Sequence, residues 1–172
     1  MNKLKIAIFS SSNGTDMQAI IDDKSLPAEI KIVICNKHCG AYERAQKHSI
    51  PAIILEQNGA QFDEEALKIL EKENIDLILL IGYMRIISPM FVQRWKNKIL
   101  NIHPSLLPAF KGGMDKDVHQ QVLDSGCKIT GCTLHIVTEN VDEGPIVLQK
   151  AVVVEDTDTD RSLKSRVQKA EQ

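Results

Sequence analysis

The sequence predicts an α/β fold, a doubly wound and mostly parallel sheet with helices on both faces. Short apolar runs alternate with segments whose apolar residues recur at helical spacing, the pattern of strands joined by helices. The run at 76–81 is almost wholly apolar, as expected of a central strand covered on both faces. Near the carboxyl end, consecutive strand-like runs at 130–137 and 146–154 predict an antiparallel strand addition.

Length and composition limit the classes of function. A chain of 172 residues fits a single domain at 1–172, and 43% hydrophobic with 26% charged residues is typical of globular proteins. The formal net charge of -2 provides no basic field for nucleic acid, so small-molecule partners are expected. No signal peptide precedes the first strand, and no apolar run approaches the roughly 18 residues that span a bilayer. We therefore expect a cytoplasmic protein without a membrane partner, either a monomer or a homodimer.

The cysteines raise the question of a metal site. Cys35 and Cys39 flank His38 closely, and Cys127 with Cys132 could complete a set of ligands. Their spacing matches no standard zinc pair. Buried reduced thiols are the simpler interpretation, so no metal is expected.

The first strand and the first helix enclose a loop suited to an anion. The apolar run 4–9 breaks into small polar residues at 10–16, and Met17, Ile20 and Ile21 then recur at helical spacing. In such a loop the backbone N–H groups and the helix N-terminus attract an anion such as phosphate. A serine-rich N-cap turn fits the same residues. The candidate anion-binding residues are Ser12, Asn13, Gly14, Thr15 and Asp16.

The middle of the chain continues the alternation up to the central strand. One of its helices is amphipathic, with apolar residues on one face and acids and lysines on the other. The elements are predicted in the order strand 29–35, helix 41–48, strand 52–55, amphipathic helix 61–73 and strand 76–81.

The segment after the central strand is a candidate pocket wall, because ligands of such sheets bind beyond the carboxyl ends of the strands. It contains Met84, Arg85, Ile86 and Ile87. A core position for the three apolar residues and a surface position for Arg85 fit the sequence equally well.

Asn101 and His103 form the candidate reactive pair. If 98–102 is a strand, period-two alternation places both side chains on one side of its carboxyl end, and Pro104 ends the strand. An amide that donates N–H bonds at any pH, beside an imidazole that can donate or accept a proton, suits a reaction in which an oxygen becomes negative. The pair predicts acyl-transfer chemistry; the alternative is a turn cap beside a packed loop histidine.

Two further histidines lie on the elements after this pair. His119 and His135 could approach a cleft, but satisfied structural histidines are the simpler interpretation for both. The predicted elements are a helix at 117–123, the strands 130–137 and 146–154 with a loop 138–145 between them, and a last helix that opens at 157–160 and runs to 172.

The string at 101–108, N-I-H-P-S-L-L-P, resembles the signature of the glycinamide ribonucleotide formyltransferase family, the folate-dependent enzymes of purine synthesis. The resemblance implies a Rossmann-like formyltransferase fold and transfer of a formyl group from 10-formyltetrahydrofolate, a cosubstrate, to the amine of 5'-phosphoribosylglycinamide, with no metal. Five segments match in chain order: the loop 10–16, the segment 82–89, the signature, the loop 138–145 and the segment 166–171.

The resemblance also implies roles for particular residues. The loop at 12–16 would hold the ribonucleotide phosphate, and Glu171 would bind the ribose hydroxyls. We expect the charge of Asp142 to hold the His103 ring and to raise its pKa. The folate would lie against Met84, Arg85, Ile86, Ile87, Asn140 and Val141, and the catalytic residues would be Asn101, His103 and Asp142.

The chain departs from the family pattern at two places. Thr15-Asp16 stands where the family commonly has Ser-Asn, which puts a carboxylate near a phosphate, and Glu143 stands where glycine is frequent. Family members continue for some tens of residues beyond the last helix, so we expect a C-terminal end truncated relative to the family.

Rival functions share the fold. Relatives that hydrolyse formyltetrahydrofolate show a second histidine where this chain has Pro104, and methionyl-tRNA formyltransferases show a small residue there. From another class, Asp16 and the chain end leave open a non-catalytic protein that binds folate or a nucleotide.

We expect Asp16→Asn to tighten binding of the ribonucleotide if the carboxylate faces the phosphate. The substitution removes a like-charge repulsion worth about 1 kcal/mol in a partly solvated site. Calorimetric titration of the ribonucleotide into both proteins measures the difference. Unchanged affinity would show that Asp16 points away from the phosphate and stabilises the first turn of the helix.

Overall fold

The computed structural model describes residues 3–112 and 118–172. Contacts within the chain divide it into two compact units, Met1–Leu100 and Asn101–Gln172. The single domain at 1–172 stays a prediction. Among the helices of the described residues, none combines the length and the apolar character needed to cross a membrane.

The first unit alternates strands and helices along the chain. Its elements are β1 (Leu4–Ser10), α1 (Thr15–Asp22), β2 (Ala28–Cys35), α2 (Gly40–Lys47), β3 (Ala52–Ile54), α3 (Gly59–Lys72), β4 (Leu77–Ile81) and α4 (Pro89–Arg94). β1 pairs in parallel with β2 on one side and with β4 on the other, and β2 pairs in parallel with β3. The predicted alternation of helices with parallel strands is confirmed.

Two successive residues of β1 explain why helices cover both faces of this sheet. Ile8 packs with Met17 of α1 and Ala41 of α2 in one buried cluster. Phe9 points to the opposite face, because neighbouring side chains of a strand alternate. There its ring centroid lies 5.9 Å from that of Phe62 in α3 and 6.0 Å from that of Phe91 in α4. This is the doubly wound arrangement that the sequence predicted.

The sequence pattern did not predict α4, which has only six residues. Ser88 Oγ accepts a hydrogen bond from the Phe91 N–H at 3.1 Å, and Pro89 occupies the first turn, where its missing N–H is not needed. The Ser-Pro pair is a helix-start signal, but six residues are too few to show apolar periodicity.

The second unit contains the end of one strand, where Asn101 and His103 lie, and a pair of antiparallel strands. Its elements are the carboxyl end of β5 (Ile99–His103), α5 (Val118–Asp124), β6 (Ile129–Ile136), β7 (Ile146–Val153) and α6 (Asp160–Glu171). β6 and β7 are antiparallel, with Thr133 opposite Gln149, so the predicted antiparallel addition is confirmed. The predicted start of α5 at Asp117 lies outside the described residues.

The last helix begins where the sequence predicted and packs through two residues. Thr159 Oγ1 accepts the Ser162 N–H and Ser162 Oγ accepts the Thr159 N–H, which together form a capping box. Leu163 and Val167 are fully buried and share a cluster with Val122 of α5. This apolar contact holds α6 in the second unit.

Leu163→Ala should lower the free energy of unfolding by about 2–5 kcal/mol, because it removes buried apolar surface and leaves a cavity. Ser165→Ala, an exposed position of the same helix, is the matched control and should change it by less than about 0.5 kcal/mol. Urea denaturation followed by circular dichroism measures both. Equal stability of the two variants would contradict the packing of α6.

Candidate active site

Asn101, His103 and Asp142 come together in the second unit. Asn101 and His103 lie at the end of β5, and Asp142 lies in the loop between β6 and β7. His103 Nδ1 is 3.4 Å from Asp142 Oδ2. Asn101 and Asp142 meet through His135, whose Nε2 is 3.1 Å from Asn101 Nδ2 and 3.5 Å from Asp142 Oδ1. The three predicted residues therefore share one cluster with a fourth, His135.

The His103 ring faces an acceptor at each nitrogen. Nε2 lies 3.2 Å from the carbonyl oxygen of Phe110, and Nδ1 faces the Asp142 carboxylate. Burial lowers the pKa of His103 below its ordinary value, although the Asp142 charge and the Phe110 carbonyl both act to raise it. The charge of Asp142 thus acts in the expected direction, but burial outweighs it and the pKa of His103 lies below its ordinary value.

His135 was interpreted from the sequence as a structural histidine, and the structure places it in the site. Its side chain is buried, and Nδ1 donates to the carbonyl of Ile136 at 3.1 Å. In this neutral tautomer Nε2 accepts a hydrogen bond from the Asn101 amide, which orients that amide. The signal in the sequence was weak, because one histidine within an apolar alternating strand fits a packed position equally well.

Asp142 is held by its own backbone and by a neighbouring loop. Its φ of 55° is in the left-handed region, and the Gly112 N–H donates to Oδ2 at 2.9 Å. Burial acts to raise the pKa of Asp142, but the contact with His135, the hydrogen bond from Gly112 and the nearby imidazoles bring it below its ordinary value. The next residue, Glu143, pairs with Lys111 at 2.5 Å. The Asp142 carboxylate therefore remains ionised although it is half-buried.

A buried hydroxyl supports the turn after His103. Thr133 Oγ1 donates to the Ser105 carbonyl at 2.7 Å and accepts the Leu107 N–H at 3.0 Å. The Gln149 amide donates to the same hydroxyl at 2.9 Å and to the Leu107 carbonyl at 3.0 Å. The sequence did not single out Thr133 or Gln149, because a threonine and a glutamine in strands carry no functional signal by themselves.

The residues at 12–16, which are predicted to bind phosphate and are termed the phosphate loop, lie in the first unit at the start of α1. Gly14 has a φ of 66°, and a Cβ there would lie 2.8 Å from that of Ala41. The Ser12 carbonyl accepts the Ala41 N–H at 3.0 Å, and the Asn13 carbonyl accepts from Arg44 Nε at 2.8 Å. Thr15 and Asp16 form the first turn of α1.

The residues at 84–87, which are predicted to contact the folate and are termed the folate segment, also lie in the first unit. The side chains of Met84 and Ile86 are 55% and 67% exposed, whereas Ile87 is buried. The Arg85 guanidinium donates to the carbonyls of Gln57 at 2.7 Å and Glu56 at 3.1 Å. Met84 and Ile86 thus expose apolar surface to solvent. The Arg85 side chain instead forms hydrogen bonds within the protein, and the Ile87 side chain is buried.

The remaining predicted residues lie at two exposed places. The Asn140 carbonyl accepts from Thr138 Oγ1 at 3.1 Å, and Val141 next to it is 41% exposed. Glu171 is the last residue of α6 and is partly exposed. Within the described residues, no group of three or more His, Cys, Asp and Glu side chains is arranged to hold a metal ion.

Residues 4–172 match the formyl transferase family. The chain is 37% identical to the phosphoribosylglycinamide formyltransferase of Bacillus subtilis (strain 168), over 97% of this chain and 88% of that protein. It is 45% identical to the trifunctional purine biosynthetic protein adenosine-3 of Bos taurus, over 98% of this chain but only 17% of that longer protein. The crystal structure of glycinamide ribonucleotide transformylase 1 from Symbiobacterium toebii has a TM-score of 0.92 at 36% identity, over 99% of this chain and 82% of that one.

The chain therefore belongs to the formyl transferase family. Within that family it is similar to the phosphoribosylglycinamide formyltransferases, in sequence and in fold. This confirms the resemblance drawn from the signature at 101–108 and the Rossmann-like fold that it implied. The roles of the individual residues stay predictions.

Lowering the pH should destabilise the protein through His103. Because its folded pKa is depressed, the unfolded chain takes up the proton first, and stability is lost as the pH falls from about 6.5 through the folded pKa. The corresponding loss from Asp142 begins only below its ordinary pKa of 3.8. His103→Gln should therefore flatten the decrease in unfolding free energy between about pH 7 and about pH 5, measured by urea denaturation. A decrease as steep as that of the wild type would contradict the depressed pKa.

Proposed function

We propose that this chain transfers the formyl group of 10-formyltetrahydrofolate to the amine of 5'-phosphoribosylglycinamide in purine biosynthesis. The observation that carries the proposal is the arrangement around the Asp142 carboxylate. It lies 3.4 Å from His103 and 3.5 Å from His135, and Asn101 is hydrogen-bonded to His135. Similarity to proteins with this activity in their names supports the same reaction. The partners are then two small molecules, the folate is a cosubstrate, and the reaction takes place in the cytoplasm.

The chemistry requires one negative charge to be stabilised and one proton to be moved. Attack of the neutral amine on the formyl carbon forms a C–N bond and leaves an oxyanion and an ammonium on one tetrahedral centre. One hydrogen of the Asn101 amide binds His135, and the second can donate to the oxyanion. Collapse of this centre breaks the bond to the folate nitrogen, which leaves with the electron pair and takes up the proton of the ammonium.

His103 and Asp142 serve these two requirements. His103 acts as an imidazolium and donates a second, charge-assisted bond to the oxyanion. Burial favours the neutral ring in the free protein, and the developing oxyanion raises the pKa of His103 again, because it is a second negative charge beside Asp142. Asp142 stays ionised, holds the ring, and helps to pass the ammonium proton to the folate nitrogen directly or through water.

Binding of the substrates is assigned to the remaining predicted residues. The phosphate loop offers backbone N–H groups and a helix start to the ribonucleotide phosphate. Glu171 would bind the ribose hydroxyls. The exposed apolar side chains of Met84 and Ile86, with Asn140 and Val141, would contact the folate.

Asn101→Ala, His103→Ala and Asp142→Asn should each lower kcat by about 10²–10³ or more, because each removes a group that acts on the charged intermediate. Affinity for the ribonucleotide should stay within a few-fold, since the phosphate loop is untouched. Combined variants should lose less than the product of the single losses, because the groups act as a unit. Steady-state formyl transfer and calorimetric titration of the ribonucleotide measure these quantities.

His38→Ala is a suitable control, since it removes an exposed histidine of the first unit and should keep the wild-type kcat. Near-normal turnover of His103→Ala with both substrates saturating would rule out the assigned role. Formate release without a formylated ribonucleotide would favour the hydrolase rival. Wild-type protein that binds both ligands without turnover would favour the non-catalytic rival.

A further inference from the structure

Two adjacent serines at the end of β1 direct their hydroxyls to different segments. Ser10 Oγ accepts the Ser12 N–H at 3.3 Å and lies 3.4 Å from Ser12 Oγ, so it serves the phosphate loop. Ser11 Oγ accepts the Met84 N–H at 2.9 Å, so it serves the folate segment. Both serines are buried. The two serines are adjacent in sequence, but each is hydrogen-bonded to a different one of the two predicted substrate-binding segments.

The backbone brings these segments into direct contact. The Ser11 N–H donates to the Gly82 carbonyl at 3.1 Å. Gly82 has a φ of 55°, and a side chain there would collide with Ser12 Oγ, so only glycine fits. The chain leaving β4 therefore passes against the phosphate loop just before the folate segment begins.

We infer that Ser11 is a positioning residue for the folate segment, although it adjoins the phosphate loop in sequence. This inference rests on the proposed function. Met84 and Ile86 are largely exposed, so their side chains contribute little packing that could fix residues 84–87. The Ser11 hydroxyl fixes the backbone at Met84, and the Arg85 guanidinium holds the segment to the carbonyls of Glu56 and Gln57. Without the hydroxyl, the Met84 N–H loses its partner and the apolar surface offered to the folate is less ordered.

The phosphate loop does not depend on the Ser11 hydroxyl in the same way. Its carbonyls at Ser12 and Asn13 are held from α2 by the Ala41 N–H and by Arg44 Nε. Loss of the Ser11 hydroxyl should therefore weaken folate binding more than ribonucleotide binding. Loss of the Ser10 hydroxyl should do the reverse, because its partner is Ser12.

The test is a crossed comparison of Ser11→Ala with its matched control Ser10→Ala. For Ser11→Ala we expect the Kd for 10-formyltetrahydrofolate to rise about tenfold and the Kd for 5'-phosphoribosylglycinamide to change less than about twofold. For Ser10→Ala we expect the larger rise for the ribonucleotide. Calorimetric titration of each ligand alone into the full chain gives the four constants, and amide hydrogen exchange should show lost protection at Met84 only in Ser11→Ala.

Each outcome decides between the inference and the function on which it rests. Folate affinity of Ser11→Ala equal to that of a wild type that binds both ligands overturns the inference alone. Equal weakening of both ligands also overturns it, since that result indicates a general structural role. Wild-type protein that binds neither ligand overturns the proposed function and the inference with it. If Ser11→Ala does not fold, Ser11→Cys replaces it, because cysteine is similar in shape but a weaker acceptor. This variant should raise the folate Kd about threefold and leave the ribonucleotide Kd unchanged. An unchanged folate Kd would overturn the inference.

Discussion

The second unit depends on one interaction, the placement of the Asp142 carboxylate between two buried imidazoles. Burying a carboxylate is costly unless donors surround it. Here the Gly112 N–H donates at 2.9 Å and His103 Nδ1 lies 3.4 Å away, while His135 Nε2 lies 3.5 Å away and accepts from Asn101. The left-handed backbone at Asp142 turns the side chain into this position. The Asp142 carboxylate thus connects three parts of the second unit. These are the end of β5, the end of β6 and the turn beyond β6.

The same arrangement leaves His103 between two protonation states. Its two nitrogens face a carbonyl and a carboxylate, which can both only accept, so a neutral ring satisfies one contact and a protonated ring satisfies both. Burial opposes the charged form and prevails in the free protein. A negative charge forming nearby would add to the Asp142 charge and reverse that balance. A ring held near this balance can become charged when an oxyanion forms, and Nε2–H would then exchange the Phe110 carbonyl for the oxyanion while Nδ1 stays beside Asp142.

Local sequence patterns predicted the fold and part of the site. The alternation of strands and helices, and the two-residue spacing of Asn101 and His103, are local features, and the structure shows both. Asp142 was assigned only through the family resemblance, since nothing in its neighbourhood distinguishes a catalytic aspartate from a turn residue. His135 was taken as structural because its approach to Asn101 depends on how β5 and β6 align, which no local pattern specifies. Likewise the binding of Arg85 to the carbonyls after β3 joins parts of the chain about thirty residues apart.

The packing of α2 explains how residues 12–16 could bind phosphate, as proposed, with Thr15 and Asp16 in place of the family's Ser-Asn pair. The loop carbonyls at Ser12 and Asn13 are occupied by donors from α2, which leaves backbone N–H groups at the start of α1 to face an anion. This approach needs small residues: a Cβ at Gly14 would press on Ala41, and a Cβ at Gly40 would lie 2.9 Å from the Asn13 Cα. The groups that would bind phosphate are therefore set by the backbone and its support from α2. A change of side chain at positions 15 and 16 alters the local charge but leaves that support in place.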